Sequence, residues 1–276
     1  MQRKRVSVAA TLLLAATLGA AHADDMKVGG TGATHGVLLR LSEAFRAANP
    51  GDSVEVVPGL GSGGGILAVG EGVLQLSVSG RDLKAEEKAK GLKSAPFLDT
   101  PFLFVTSHAM PQKLTRAEVV AIYDGSLAKW PDSKPIKPIL RPKSDSVTPF
   151  LIANIEGMQR ALEKSGQRPD IPVAATDQDN IQVAEKVENS FAGTTLVQFV
   201  SERPRLRSIA LDGVEASVEA MEKGSYALKM KLYIVITSEP SPIAKRFAIF
   251  LRSAQAEKLI RENGGVPLLA QTPSVQ

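Results

Sequence analysis

The sequence predicts an α/β protein, and two observations carry this prediction. Segments with helical spacing of apolar residues alternate along the chain with short apolar runs that are typical of strands. Three of those runs end in loops rich in Gly, Ser and Thr: the first loop (residues 29–36), the second loop (59–65) and the third loop (79–82). In a parallel α/β sheet such loops gather at the carboxyl edge of the strands, where ligands bind.

The N-terminus is predicted to be a cleavable export signal, residues 1–23. Basic residues at positions 3–5 precede an uncharged apolar stretch over residues 6–20, and Ala21-His22-Ala23 offers small residues at the cleavage positions. About 15 apolar residues are fewer than the roughly 20 that span a bilayer, which argues against a membrane anchor. The chain has no cysteine, which excludes disulfides and a lipid-modified cysteine at the cleavage site. We therefore expect a protein of the periplasm.

Charge and composition argue against several classes of function. Loss of the basic residues at positions 3–5 brings the formal net charge of +4 to about +1, which gives no electrostatic footprint for nucleic acid. Aromatic residues make up only 5% of the chain, which argues against stacking sites for sugars or bases. His35 and His108, the histidines beyond the signal, belong to no metal-spacing motif, so we expect neither a metal nor a cofactor.

The elements of the first half follow from local patterns. Leu38, Leu41 and Phe45 give the predicted helix over residues 37–48 one apolar face. Thr115 and Glu118 form a capping box at the start of a short helix. Strands are predicted over residues 26–28, 54–57, 74–78 and 102–107, and helices over residues 37–48, from residue 66 to residue 70, and over residues 115–122.

The second half continues the alternation. Strands are predicted over residues 139–140, 195–200 and 228–236, and helices over residues 150–164, 180–189 and 242–262. A fourth loop, residues 141–148, again lies between a predicted strand and a predicted helix. The same kind of junction is thus predicted four times along the chain.

The loop residues indicate an anion site. Glycine lets the backbone approach a ligand closely, and N–H groups that precede a helix point the same way as the positive end of its dipole. The hydroxyls of Thr34 and Ser62 add further donors, and Arg141 in the fourth loop offers a guanidinium fork to an oxyanion. For any one loop, an ordinary strand-to-helix turn is the better explanation, but three such loops in succession favour the anion site.

The ordered set of these motifs resembles the phosphate-specific solute-binding proteins of ABC importers, a periplasmic-binding-protein type 2 family. The resemblance rests on Gly32-Ala33-Thr34, Gly61-Ser62-Gly63-Gly64, Ser79-Gly80-Arg81-Asp82-Leu83, the fourth loop, the helix and turn from Leu114 to Gly125, and Gly224-Ser225-Tyr226-Ala227-Leu228. The matches run in family order from residue 26 to residue 265.

The resemblance implies a two-lobed type II periplasmic-binding-protein fold with the anion in the cleft. It implies that the chain crosses between the two lobes twice, near residues 104–107 and near residues 229–234. Lobe one would then be residues 24–104 plus 233–276, and lobe two residues 105–232. Carried over by position, the ligand-binding residues are Ala33, Thr34, His35 through its backbone N–H, Ser62, Gly63, Ser79, Arg141, Ser146 and Thr148. Arg81 either adds a charge to the site or faces solvent or pairs with Asp82.

The sequence departs from the family pattern at three points. Gly80 stands where several family members place an aspartate that accepts the proton of hydrogen phosphate, and without it the preference for phosphate over sulfate loses its physical basis. The fourth loop is one residue longer than the usual spacing. Val147 replaces a glycine in that loop, and a β-branched residue makes close backbone approach harder.

The expected function is therefore non-catalytic capture of phosphate by a monomer that delivers it to an importer permease. Three alternatives remain open: another oxyanion such as molybdate, tungstate or sulfate; a sensor or interaction protein on the same fold; and an enzyme. The enzyme is disfavoured because Gly61-Ser62-Gly63 lacks the pattern of a nucleophile elbow.

Overall fold

A computed structural model describes residues 24–110 and 113–268, so the predicted export signal lies outside the described residues. The strands are β1 (Asp25–Gly30), β2 (Ser53–Val56), β3 (Leu76–Ser79), β4 (Leu92–Thr106), β5 (Lys113–Leu114), β6 (Lys137–Pro138), β7 (Ser190–Thr195), β8 (Arg207–Leu211), β9 (Lys229–Thr237) and β10 (Val266–Pro267). The helices are α1 (His35–Ala48), α2 (Gly61–Gly70), α3 (Ala85–Ala89), α4 (Arg116–Asp124), α5 (Val147–Asn154), α6 (Met158–Ser165), α7 (Asp177–Lys186), α8 (Leu196–Glu202), α9 (Val218–Glu222), α10 (Pro242–Phe250) and α11 (Ala254–Glu262). The α/β prediction is confirmed.

The strand pairing brings the first three loops to one edge of the sheet. β1 lies between β2 and β3 and is parallel to both, in the sheet order β2-β1-β3-β9-β4-β7-β6. The carboxyl ends of parallel strands meet at the same edge, so the segments that follow Gly30, Val56 and Ser79 lie side by side.

The long strand β4 changes partners along its length. Its residues 92–101 pair antiparallel with β9, and its residues 102–106 pair with β7 and β8. The change falls at Phe102, whose N–H donates to the Leu228 carbonyl at 2.8 Å, just before β9 begins. β4 therefore joins two groups of strands.

Several predicted elements are wrong in type or extent. The strand predicted over residues 139–140 is displaced, since β6 covers Lys137–Pro138, and the helix predicted over residues 180–189 is α7, Asp177–Lys186. The strand predicted over residues 195–200 ends at Thr195, whose hydroxyl accepts from the Gln198 N–H at 3.3 Å and starts α8. A short apolar run is compatible with both helix and strand, and the N-cap at Thr195 favours the helix. The predicted helix over residues 150–164 is divided between α5 and α6 by Gly157, whose φ is 83°. The helix over residues 242–262 is divided between α10 and α11 by a new N-cap at Ser253.

The sequence signals for both ends of α4 are confirmed. The Thr115 hydroxyl accepts from the Glu118 N–H at 3.2 Å, and the Glu118 carboxylate accepts from the Thr115 N–H at 2.7 Å, so the predicted capping box exists. Gly125 ends the same helix with a left-handed φ of 83°.

Aromatic side chains fill the core on both sides of the change in pairing. Phe45 of α1 packs edge-on against Phe247 and Phe250 of α10, with ring centroids 5.2 and 5.5 Å apart. On the other side, Phe104 stacks on Phe191 at 5.1 Å. Within the described residues, no helix has the length and apolar character needed to cross a membrane.

Candidate anion-binding site

The first loop presents backbone donors at the start of a helix. β1 ends at Gly30, whose φ of 113° suits glycine, and a Cβ at this position would lie 2.0 Å from the Val78 carbonyl oxygen. A 3-10 turn, Gly32–Thr34, then leads directly into α1. Thr31, Ala33 and Thr34 are buried, so their donors are shielded from bulk water. N–H groups at such a position favour a negative partner.

The second, third and fourth loops meet at the hydroxyl of Ser62. Its Oγ accepts from the Gly80 N–H at 2.8 Å and donates to Ser146 Oγ at 3.2 Å. Gly80 allows this meeting, because a Cβ at residue 80 would lie 2.6 Å from Ser146 Oγ. Ser62 and Ser146 are both buried. The structure therefore brings together Ser62 and Ser146, which are far apart in sequence.

Arg81 of the third loop turns away from this meeting point. Its guanidinium donates to both carboxylate oxygens of Glu87 on α3, at 2.8 and 2.7 Å, and to the Asp82 carbonyl at 3.0 Å. The hydrogen bond from Arg81 lowers the pKa of the Glu87 carboxyl. Ser79, although buried, uses its hydroxyl locally, donating to the Arg81 carbonyl at 2.7 Å.

Arg141 of the fourth loop is buried among acceptors. Its Nη1 donates to the carbonyls of Ala174, at 3.0 Å, and Thr176, and its Nη2 donates to Asp145 Oδ2 at 2.7 Å and to Asp177 Oδ1 at 3.2 Å. Only 6% of the side chain is exposed. Its Nε is buried and has no hydrogen-bond partner among the described residues, which leaves one donor unused. Arg141 is thus held in place by two carboxylates.

Asp177, at the start of α7, is a residue that the sequence reasoning missed. Its Oδ2 accepts from Thr31 Oγ1 and from the Ala33 N–H, both at 3.0 Å, so it connects the first loop with Arg141. Burial raises the pKa of the Asp177 carboxyl, the nearby Asp145 adds to the rise, and Arg141 opposes it. The predicted helix begins only at Asn180, which leaves Asp177 in a connecting segment. Thr176 and Asp179 form a capping box that marks the true start and was readable in the sequence.

The remaining predicted residues have different surroundings. Thr34 is fully buried, and its hydroxyl donates to the Thr31 carbonyl at 3.2 Å. His35 is half-buried at the start of α1, and burial lowers the pKa of its ring. Gly63 is exposed on α2. Thr148 turns back on its own loop and donates to the Pro142 carbonyl at 3.0 Å.

The described residues contain no group of three or more His, Asp or Glu side chains suited to a metal ion. His108 instead stacks on Trp130 with ring centroids 5.2 Å apart, and its Nδ1 lies 2.8 Å from Asn189 Oδ1. The donors that the loops offer are hydroxyl, amide and guanidinium groups.

Curated relatives of this chain are similar along most of its length. The phosphate-binding protein PstS of Bacillus subtilis (strain 168) is 22% identical over 253 residues, covering 88% of this chain and 81% of that protein. The protein of the same name from Staphylococcus saprophyticus is 24% identical over 278 residues, covering 91% of this chain and 84% of its own.

Solved structures share the fold. A Clostridium perfringens protein, described as a candidate phosphate ABC transporter substrate-binding protein and solved with bound phosphate, superposes with a TM-score of 0.77 at 21% identity, covering 89% of this chain and 100% of that one. An ABC-type phosphate transport receptor from Vibrio cholerae gives a TM-score of 0.62 at 20% identity, with 88% and 100% covered. These likenesses confirm the predicted type II periplasmic-binding-protein fold.

A family model matches most of the chain. The model described as "PBP superfamily domain" matches residues 15–255, which include all four loops and the segments between them. The resemblance inferred from the loop motifs agrees with this match. The chain belongs to the PBP superfamily domain family.

Proposed function

We propose that this chain is a periplasmic solute-binding protein that captures phosphate for an ABC importer. One observation carries the proposal: four loops are connected through their donors. Ser62 of the second loop hydrogen-bonds Ser146 of the fourth, and Arg141 of the fourth loop shares its acceptor Asp177 with the Ala33 N–H of the first. The Gly80 N–H of the third loop donates to Ser62. Hydroxyl and amide donors with one guanidinium suit a small oxyanion, since charge-assisted hydrogen bonds are the strong ones. The relatives named as phosphate-binding proteins support phosphate as the ligand.

A subset of the predicted residues forms the proposed binding set. Ala33 and Thr34 contribute the first loop, Ser62 the second, and Arg141 and Ser146 the fourth. Their burial supports this choice, because hydrogen bonds to a charged ligand are stronger when water is excluded. Arg81 is left out, because its side chain is more exposed than that of Arg141 and pairs with Glu87 of the adjacent helix α3.

The proposal includes delivery and motion. The chain would be exported by its N-terminal signal, act as a single copy, and pass the anion to an importer permease without catalysis. The two predicted lobes, residues 24–104 plus 233–276 and residues 105–232, would close on the ligand by bending at the crossovers. The change of partners along β4 supports a hinge near there. Small-angle scattering with saturating phosphate should show compaction, and an unchanged radius of gyration would contradict closure.

A second candidate ligand is a fully ionised oxyanion such as sulfate, molybdate or tungstate. The observation that favours it is Gly80, which provides no carboxylate to accept a ligand proton at that position. Ser146 Oγ lies in the space that a side chain of residue 80 would need. Under this candidate the fold and the donor loops serve the same purpose for a different anion.

Calorimetric titration of the exported form with phosphate, sulfate, molybdate and tungstate tests the proposal. Binding of phosphate at micromolar concentration or tighter, with the other anions much weaker, is the expected result. Tighter binding of sulfate, molybdate or tungstate than of phosphate would identify a fully ionised oxyanion as the ligand. Absence of binding across the panel would contradict capture of any of these anions.

A further inference from the structure

The carboxylate of Asp177 occupies donors that the proposed function assigns to a ligand. It accepts from the Thr31 hydroxyl and the Ala33 N–H in the first loop, and from Arg141 in the fourth. One side chain thus contacts the donors of two loops that are more than a hundred residues apart in sequence. Ala33 and Arg141, which Asp177 contacts, both belong to the proposed binding set.

A carboxylate and an inorganic oxyanion use the same chemistry at such a place. Both carry negative charge on oxygen atoms that accept from N–H and O–H groups. The Ala33 N–H has one hydrogen, which it shares between Asp177 Oδ2 at 3.0 Å and Thr31 Oγ1 at 3.4 Å. Asp177 Oδ2 is the nearer and the charged acceptor, so a ligand oxygen that is bound closely by this N–H takes the place of the Asp177 oxygen.

The close approach of α7 to the first loop depends on more than one side chain. A Cβ at Gly32 would lie 2.8 Å from Asp177 Cβ and 2.2 Å from Gln178 Oε1, so the contact requires glycine there. Gln178 Nε2 also donates to the Gly32 carbonyl at 2.9 Å and to Glu202 at 3.0 Å. The start of α7 is therefore docked on the first loop through backbone and side chain together.

The charges around Asp177 make its position costly. Burial and the neighbouring Asp145 both disfavour the ionised carboxylate, and Arg141 is the cation that offsets them. Glu202 also lies close enough that Asp177 contributes to raising its pKa, although burial is the main cause. Because burial and Asp145 raise the free energy of the ionised carboxylate, less free energy is needed to release it from the first loop.

We propose that Asp177 is an internal counter-anion, which binds the Ala33 amide and Arg141 until an oxyanion of the phosphate class displaces it. The inference rests on the proposed function and adds a property to it. The apparent affinity is then lowered, because only the fraction of molecules in which Asp177 has released the first loop can bind. Asp177 would set how much free anion is needed for capture.

Titration of Asp177→Asn with inorganic phosphate tests this directly, with wild type alongside. The amide has similar shape but no negative charge, so we expect it to compete less well and phosphate to bind about tenfold tighter or more. Asp179→Asn is the matched control: it removes the same charge from the same helix, two residues away, and Asp179 accepts from the Thr176 N–H rather than from the first loop. The control should bind phosphate as wild type does. Equal tightening in both variants would mean a general charge effect and would overturn the inference.

The outcomes separate this inference from the proposed function. If wild type binds phosphate and Asp177→Asn binds it equally or more weakly, the counter-anion is wrong while phosphate capture stands. If none of the proteins binds phosphate or the other anions, the proposed function fails and the inference fails with it.

A measurement on the unaltered protein covers the case in which Asp177→Asn does not fold. The carboxyl-carbon NMR resonance of Asp177 should move in step with phosphate saturation, because the carboxylate loses the Ala33 N–H. A resonance that stays in place through saturation would overturn the displacement.

Discussion

The third and fourth loops each carry an arginine, yet the two side chains have opposite surroundings. Arg81 is 28% exposed and pairs with Glu87, a residue of the adjacent short helix. Arg141 is 6% exposed and lies between Asp145 and Asp177, the second of which comes from a helix 36 positions further along the chain. A position in a Ser-containing loop does not decide whether an arginine is buried; the elements that pack against the loop decide it.

This difference should appear in stability as well as in binding. Arg81 forms a local pair whose carboxylate also caps α3 by accepting from the Lys84 N–H at 2.7 Å. Arg141 neutralises carboxylates that are shielded from water, so its removal leaves negative charge buried. We therefore expect the two regions to respond differently to the same kind of change.

Arg141→Ala should lower the free energy of unfolding by about 3–5 kcal/mol, as expected when one partner of a buried ion pair is removed. Arg81→Ala should lower it by about 1 kcal/mol or less, since a partly exposed pair is screened by solvent. Urea unfolding followed by circular dichroism measures both. Similar losses for the two variants would mean that the loops do not differ as described.

Replacing glycine by alanine should lower stability in the first loop, which is packed against α7, but not at an open position in the second loop. Gly32→Ala should cost about 1–3 kcal/mol, because its Cβ would overlap Asp177 and Gln178. Gly63→Ala meets open space on α2 and should leave stability unchanged or raise it by up to about 1 kcal/mol. Thermal unfolding of both variants tests the contrast, and a harmless Gly32→Ala would argue against tight docking of α7.

Acidification should change the contributions of Asp177 and Glu87 to stability in opposite directions. Burial raises the pKa of Asp177, so the folded state binds more protons there than the unfolded state, and this residue's contribution to stability grows as pH falls from neutrality. The hydrogen bond from Arg81 lowers the pKa of Glu87, so its contribution is present above the ordinary glutamate pKa and is lost as pH falls through the lowered value.

Carboxyl-carbon NMR titration measures these two values directly. Asp177 should titrate above the ordinary aspartate range and Glu87 below the ordinary glutamate range. Asp177→Asn and Glu87→Gln should remove the corresponding slopes from the dependence of stability on pH. Shifts in the same direction would contradict the different environments of the two arginines.

The sequence predicted those features that depend on local chemistry. Gly- and Ser-rich loops after parallel strands predicted where donors would gather, and the capping box at Thr115 and Glu118 predicted a helix start that the structure has. The apolar run after Thr195 predicted a strand wrongly, because a short run does not distinguish helix from strand without its cap.

The sequence could not predict contacts made across long distances in the chain. The resemblance assigned Arg141 to the ligand and left Arg81 open, but neither it nor the local sequence predicted that Asp177 pairs with Arg141. The predicted start of the helix that carries Asp177 lies three residues too late. The approach of Asp177 to the Ala33 N–H depends on how α7 packs on the first loop, which is a tertiary property. Gly32 permits that packing, but it lies in a glycine-rich loop, and nothing in the sequence distinguishes it from the neighbouring glycines.

The most direct test of the account is a calorimetric phosphate titration of wild type, Arg141→Gln and Arg81→Gln under the same conditions. We predict micromolar or tighter binding by wild type, an unchanged affinity for Arg81→Gln, and a loss for Arg141→Gln of at least about 30-fold, which corresponds to roughly 2 kcal/mol for a buried charge-assisted contact. An unchanged affinity for Arg141→Gln, with a loss for Arg81→Gln, would contradict the account and assign the anion to the third loop.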